Sequence, residues 1–237
     1  GLWPFHTWAP TGHVAAPTAA SMLLAGVVMK LGAYGCLRVA MTLFPAGLQP
    51  WGFEWLGLGS WRDVFALLAV MGILYGAMVA LVQKDFKFVI GYSSVSHMGF
   101  VLLGLVTLHT IGLTGAVLQM FSHGIMTALF FAIVGALYDQ AHTREIPNLG
   151  GFRKVMPIVA VAFIIGGLVS MGMPGFSGFI AEFPIFLGLW QAYPWIAIVA
   201  AISIVVTASY IIRIVGNVFF GPLPKEFEGH VHDVNVL

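Results

Sequence analysis

The feature that most constrains this chain is a recurring one: apolar stretches of about 20 residues or more, long enough to cross about 30 Å of hydrocarbon at 1.5 Å per helical residue, follow one another with short polar breaks. The pattern predicts six helices near residues 18–44, 64–83, 88–108, 113–138, 155–190 and 195–219. Two-residue alternation in segments of about ten residues, the mark of a membrane barrel, is absent, so the expected fold class is an all-α polytopic membrane protein. Composition agrees, with 59% apolar residues and only 8% charged, where a soluble domain carries about 25%. A net charge of +1 with no basic stripe excludes nucleic acid as a partner. Cys36 is the single cysteine. With no CxxC or Cys/His cluster there is no pattern for zinc, an iron–sulfur cluster or c-type haem, so any redox chemistry belongs elsewhere.

One straight helix over 155–190 would run about 54 Å, nearly twice the hydrocarbon core. Gly172-Met173-Pro174-Gly175 lies in its middle, so a break is expected there. Such a break frees backbone groups at membrane depth, tolerated where protein or water satisfies them and used by transporters to build ion paths. The simpler alternative is a proline kink between two packed half-helices. Threading the helices through a bilayer puts Lys84, Lys87, Arg144, Arg153, Lys154 and Lys225 on one side and Arg62 on the other. By the positive-inside rule the first side faces the cytoplasm, or the matrix in a mitochondrion. The N-terminus begins at Gly1 and lacks a signal-peptide pattern, which leads to the expectation of a piece of something longer.

An ionisable residue in mid-membrane costs a few kcal/mol on insertion scales and is a functional candidate by default. Lys30 lies about 18 Å into the first helix, His97 and His123 about 12 and 15 Å into the third and fourth, and Glu182 follows the break in the fifth. Gly26, Lys30 and Tyr34 are four apart, as are Ser93 and His97, and Gln119, His123 and Thr127, so each set forms a polar stripe on one face. Turned inward, such stripes hold water and pass protons; alternatively they are ordinary interhelical hydrogen bonds. Arg38 and Arg213 lie nearer helix ends, where snorkelling suffices. Gly72, Tyr75 and Gly76 contain a GxxxG pattern, which points to close helix packing. The histidine pair alone is poor support for a haem, and no catalytic carboxylate pair, nucleophile elbow or phosphate loop is present.

Several stretches carry a family resemblance. They are Pro4-Phe5-His6-Thr7-Trp8, His13-Val14-Ala15-Ala16-Pro17-Thr18, the run Leu24 to Gly35 containing Gly26-Val27-Val28-Met29-Lys30, and Tyr92-Ser93-Ser94-Val95-Ser96-His97-Met98-Gly99-Phe100. Ser122-His123-Gly124, His142-Thr143-Arg144, and Gly172-Met173-Pro174-Gly175 leading to Ala181-Glu182-Phe183 complete the set. The chain resembles the antiporter-like membrane subunits of proton-pumping NADH:quinone oxidoreductase, respiratory complex I, and among them the chain M or subunit 4 type.

The resemblance implies a 14-helix subunit built from two inverted five-helix repeats, each with one broken helix. Residues 1–63 would then be the end of the first repeat and a connecting helix, 64–219 the complete second repeat, and 220–237 a cytoplasmic or matrix-side loop. Lys30 matches the family's connecting lysine, His97 and His123 its central histidines, and Glu182 the acid on the second broken helix, where sister subunits have lysine. The family's pumping lysine would fall two positions before Gly1. Trp8-Ala9-Pro10-Thr11-Gly12-His13 departs from the commoner Trp-Leu-Pro-acid-Ala-His, and Ala16 stands where a polar residue is frequent.

The expectation is therefore a proton-translocating subunit with Lys30, His97, His123 and Glu182 as the proton path and Ser93, Gln119 and Thr127 in support. It would bind no cofactor itself; NADH, FMN, iron–sulfur clusters and quinone would lie in partner subunits. Its partners would be other membrane-arm subunits of complex I, the lipid bilayer and protons. It would sit in a bacterial inner membrane, or in the mitochondrial inner membrane or thylakoid if organellar. The alternatives are a subunit of a multi-subunit sodium/proton antiporter or membrane-bound hydrogenase, and a non-conducting helical scaffold.

Overall fold

A computed structural model of the chain describes residues 2–50, 58–229 and 231–234. Gly1, residues 51–57 of the expected connecting segment, and residues 230 and 235–237 of the expected tail lie outside the described residues. Among the described residues eight helices carry the architecture: α1 (Trp8–Ala15), α2 (Thr18–Leu43), α3 (Trp61–Val82), α4 (Phe86–Val106), α5 (Thr110–Ala141), α6 (Pro157–Ser170), α7 (Ser177–Ala192) and α8 (Pro194–Phe219). Helices α2, α3, α4, α5 and α8 are long and apolar enough to cross a membrane. Helices α6 and α7 are the two halves of the broken fifth span. The chain is an integral membrane protein of the all-α class.

Local chemistry sets the helix ends. Ser60 caps α3 by accepting from Asp63 N at 3.2 Å, while the Asp63 carboxylate accepts from Gly59 N and Ser60 Oγ at 3.1 and 2.8 Å. Asp85 caps α4, accepting from the amides of Lys87 and Phe88. Pro157 and Pro194 open α6 and α8, where their missing N–H costs nothing. His142, in the left-handed region at φ 51°, closes α5 three residues beyond the end expected from hydropathy. Helix α2 contains π segments at Leu24–Val28 and Cys36–Ala40, and α8 ends in another at Val215–Phe219. The short α1, with Pro10 inside it, was not expected as a separate element.

The fifth span breaks where Gly172-Met173-Pro174-Gly175 predicts. Gly172 and Gly175 adopt φ of 62° and 97°, a region that glycine enters without penalty. The GxxxG pattern in α3 packs as expected: a Cβ at Gly76 would lie 2.9 Å from both Ser96 N and Tyr92 O of α4.

Two apolar clusters bracket the middle of the bundle. Phe163 of α6 anchors the first, with Phe130, Phe219 and Phe86 ring centroids at 4.9, 5.1 and 5.3 Å. The second joins Ile73, Leu103, Ile185 and Ala200. Along α4 they take residues 86–90 and 100–106, along α8 residues from 210 and up to 200. The polar residues fall in the interval between them.

The loops expected on the basic side do share one end of the bundle. Phe86 N donates to Arg144 O and Ile146 N to Lys84 O, Arg213 donates to Gln83 O at 2.7 Å, and Ile158 N donates to Asp233 Oδ2 at 2.7 Å. Arg62 stands at the opposite end, donating to Val106 O and Thr107 O.

Candidate functional site: a buried polar axis

Helix α4 supplies His97, α5 supplies Gln119 and His123, the last residue of α6 is Ser170, and α7 supplies Glu182, all of them buried. His97 Nδ1 lies 3.3 Å from Glu182 Oε1. Gln119 Nε2 donates to the same carboxylate oxygen at 3.1 Å and lies 3.4 Å from His97 Nδ1. On the other side of the ring, His97 Nε2 is 3.0 Å from Ser170 Oγ. Nδ1 therefore faces an acceptor, the carboxylate, and a donor, the amide. Protonated, it donates to Glu182; unprotonated, it accepts from Gln119. The break allows this approach, since a Cβ at Gly172 would sit 2.7 Å from Glu182 Oε2.

The His123 ring centroid is 5.3 Å from that of His97, the planes tilted by 43°. Neither of its nitrogens meets a protein partner among the described residues. Beyond His123 comes Lys30, only 8% exposed, whose amine donates to Ala25 O inside the first π segment of α2. Helices α2 and α5 meet closely enough that a Cβ on Gly124 would lie 2.8 Å from Gly26 O and 3.8 Å from Lys30 Cε. Lys30 also lines a groove of about 620 Å³ between these helices, with Gly26, Tyr34, Met120 and Gly124. Tyr34 is exposed along that groove, so the stripe on α2 borders an opening while those on α4 and α5 face inward.

The order is thus Lys30, His123, His97, Glu182, with Gln119 joining the last two. Lys30 makes no ion pair with Glu182 among the described residues; the carboxylate pairs with His97 instead. Ser93 does not reach His97. Its hydroxyl is 2.8 Å from the Tyr210 hydroxyl of α8. Thr127 Oγ1 donates to His123 O at 2.7 Å and so satisfies its own helix. Ser170 and Tyr210 went unnoticed in the sequence. Ser170 carried a usable signal, being the polar residue just before the break; Tyr210 carried none.

Membrane-crossing helices, one span of them broken in its middle, around a buried line of lysine, histidine and glutamate define an antiporter-like membrane subunit. The chain belongs to the family described as NADH:quinone oxidoreductase/Mrp antiporter, TM, which matches residues 1–207. It is 42% identical over 98% of its length to NADH-quinone oxidoreductase subunit M of Rickettsia prowazekii (strain Madrid E), of which it covers 45%. It is 39% identical over 99% of its length to F(420)H(2) dehydrogenase subunit M of Methanosarcina mazei, again covering 45%. A chain of respiratory complex I from Thermus thermophilus superposes with a TM-score of 0.87 at 31% identity, over 99% of this chain and 47% of that one. The Mrp complex from Dietzia sp. shares the fold at 24% identity and a TM-score of 0.85, over 94% of this chain and 40% of that one. The chain spans less than half the length of the relatives it matches.

Proposed function

We propose that this chain is a proton-carrying part of an M-type subunit of NADH:quinone oxidoreductase, coupling quinone reduction elsewhere in the complex to transfer along Lys30, His123, His97 and Glu182. The observation that carries the reading is the His97 Nδ1 contact with Glu182 Oε1 at the broken helix, in line with His123 and Lys30. An imidazole beside a carboxylate takes a proton on one nitrogen while releasing one from the other. Here the two nitrogens address Glu182 and Ser170. In this reading internal water meets the two His123 nitrogens, because a buried polar atom without a partner costs about 1–3 kcal/mol.

The drive comes from outside this chain. A remote redox step moves protons here only by biasing two states of the axis with different proton affinities, through hydration or the pairing of Lys30 and Glu182 with their neighbours. Partner membrane-arm subunits deliver that bias, and NADH, FMN, iron–sulfur clusters and quinone are placed in partner subunits. Because a similar chain is named for F(420)H(2), the choice of electron donor is assigned to partners too. Homology to bacterial subunits supports location in a bacterial inner membrane.

Lys30→Ala in the full-length subunit of the assembled complex tests this. The expected result is fewer protons moved per electron with assembly retained. Unchanged stoichiometry would overturn the path, and a loss confined to assembly would favour the scaffold reading.

A further inference from the structure

Helix α7 carries a stripe that the axis uses only in part. Phe179, Glu182, Phe183 and Phe186 follow one another at three- and four-residue spacing and so share one face of the helix. With Gly172 at the break, and with Ala201 and Ile204 of α8, they line a cavity of about 250 Å³ whose only charged group is the Glu182 carboxylate. The contacts of that carboxylate with His97 and Gln119 both use Oε1. Oε2 lies on the side of Gly172, where a Cβ would come within 2.7 Å of it. Glu182 is 5% exposed and Phe183 49% exposed, so the acid stands at the back of the cavity and a phenylalanine at its mouth. The rings brace one another: Phe179 and Phe183 are stacked with centroids 5.3 Å apart, and Phe186 meets Phe100 of α4 edge to face at 5.4 Å.

A carboxylate at the back of an apolar recess restricts what can occupy it. An anion is repelled, a neutral apolar molecule leaves a charged oxygen desolvated and unpaired, and water finds few partners along phenylalanine and isoleucine walls. A cation on an apolar body meets both demands, pairing with the oxygen and lying against aromatic rings. Size limits the body to one ring and a short linker, since a cavity of about 150 Å³ already holds benzene. We propose that this cavity is a binding site for a lipophilic single-ring ammonium, its NH3+ group on Glu182 Oε2 and its ring among Phe179, Phe183 and Ile204. The site stands on this geometry and is independent of the proton-path reading. Where that reading holds, the ammonium keeps Glu182 in its charged form, so occupancy lowers proton uptake.

The experiment irradiates the assembled complex, with the full-length subunit in its native membrane, in the presence of 4-azidobenzylammonium and maps the label by mass spectrometry. Light expels N2 and bonds the probe to the residues beside it. Label is expected within residues 179–204, displaced by excess benzylammonium but not by benzyl alcohol, its neutral counterpart. Glu182→Gln is expected to cut this labelling about tenfold or more, the scale of a charge-assisted bond. Ala201→Leu, which fills the cavity and leaves the carboxylate in place, is expected to do the same. Each variant is read on complex assembled like the parent, and if one fails to assemble the other and the benzyl alcohol competition decide. Absence of label from α7 and α8 in the parent, as when a neighbouring subunit covers the mouth, overturns the site. Labelling that survives either substitution, or that benzyl alcohol displaces equally well, overturns it too. Labelling as expected, with parent-level proton uptake under saturating benzylammonium, leaves the site standing and counts against Glu182 in the proton path.

Discussion

At the scale of the residue, His97 Nδ1 is the point where two hydrogen-bonding patterns compete. Its neighbours are the Glu182 carboxylate at 3.3 Å and the Gln119 amide nitrogen at 3.4 Å, and its protonation state chooses between them. Gly172 holds this arrangement open: it needs φ of 62°, and a Cβ there would meet Glu182 Oε2 at 2.7 Å. Gly172→Ala is accordingly expected to destabilise the subunit by about 1–3 kcal/mol through combined strain and overpacking, read as a lower unfolding temperature of the purified complex. Gly216→Ala, where a Cβ meets nothing within 4 Å, serves as the control and is expected to be close to silent. Lys30, His97, His123 and Glu182 were legible in the sequence because an ionisable group in an apolar run is conspicuous by cost alone. Ser170 and Tyr210 were not, because such residues are ordinary in membrane helices and only the approach of α6 and α8 gives them a role.

Between elements, the crossing of α2 and α5 brings Lys30 to His123. Gly26 and Gly124 make it possible, each backbone oxygen facing the other's Cα. Gly124→Ala puts a methyl 2.8 Å from the Gly26 carbonyl, a backbone atom that cannot step aside without moving the helix. The helices are expected to part, at a cost of about 1–3 kcal/mol, and proton transfer to fall even in the fraction that assembles. A cysteine pair across the crossing, with its crosslinking yield compared between parent and variant, measures the separation. Helix number and the break were readable from apolar length against bilayer thickness. Element ends were less so: Asp139 and Gln140 suggest an earlier end to α5, yet the helix runs on to Ala141 because the left-handed His142 supplies its cap. The π segments of α2 have no apolar-periodicity signature over five residues and emerged only in three dimensions.

For the whole molecule, each end of the bundle is tied by polar contacts while the middle holds the axis. At the end opposite the basic face, Arg62 donates to Thr107 O at 3.0 Å and lies 5.0 Å from the Tyr193 ring, and Tyr193 donates to Asp63 Oδ1 at 2.6 Å. This joins α3, the α4–α5 turn and the α7–α8 corner. Burial, and next the hydrogen bond to Asp63, push the Tyr193 phenol above its ordinary range, so it remains a donor at neutral pH. Tyr193→Phe removes a charge-assisted bond and is expected to cost about 1.5–3 kcal/mol, seen as a lower unfolding temperature.

The most direct measurement is Glu182→Gln in the full-length subunit within its native membrane, recording NADH-driven quinone reduction and proton uptake side by side on properly assembled complex. The amide keeps the size of the side chain but removes the charge that pairs with His97. A fall in proton uptake is the predicted result, with quinone reduction falling alongside it in a tightly coupled path. Parent-level values for both would make Glu182 a structural group and contradict the proton path centred on it.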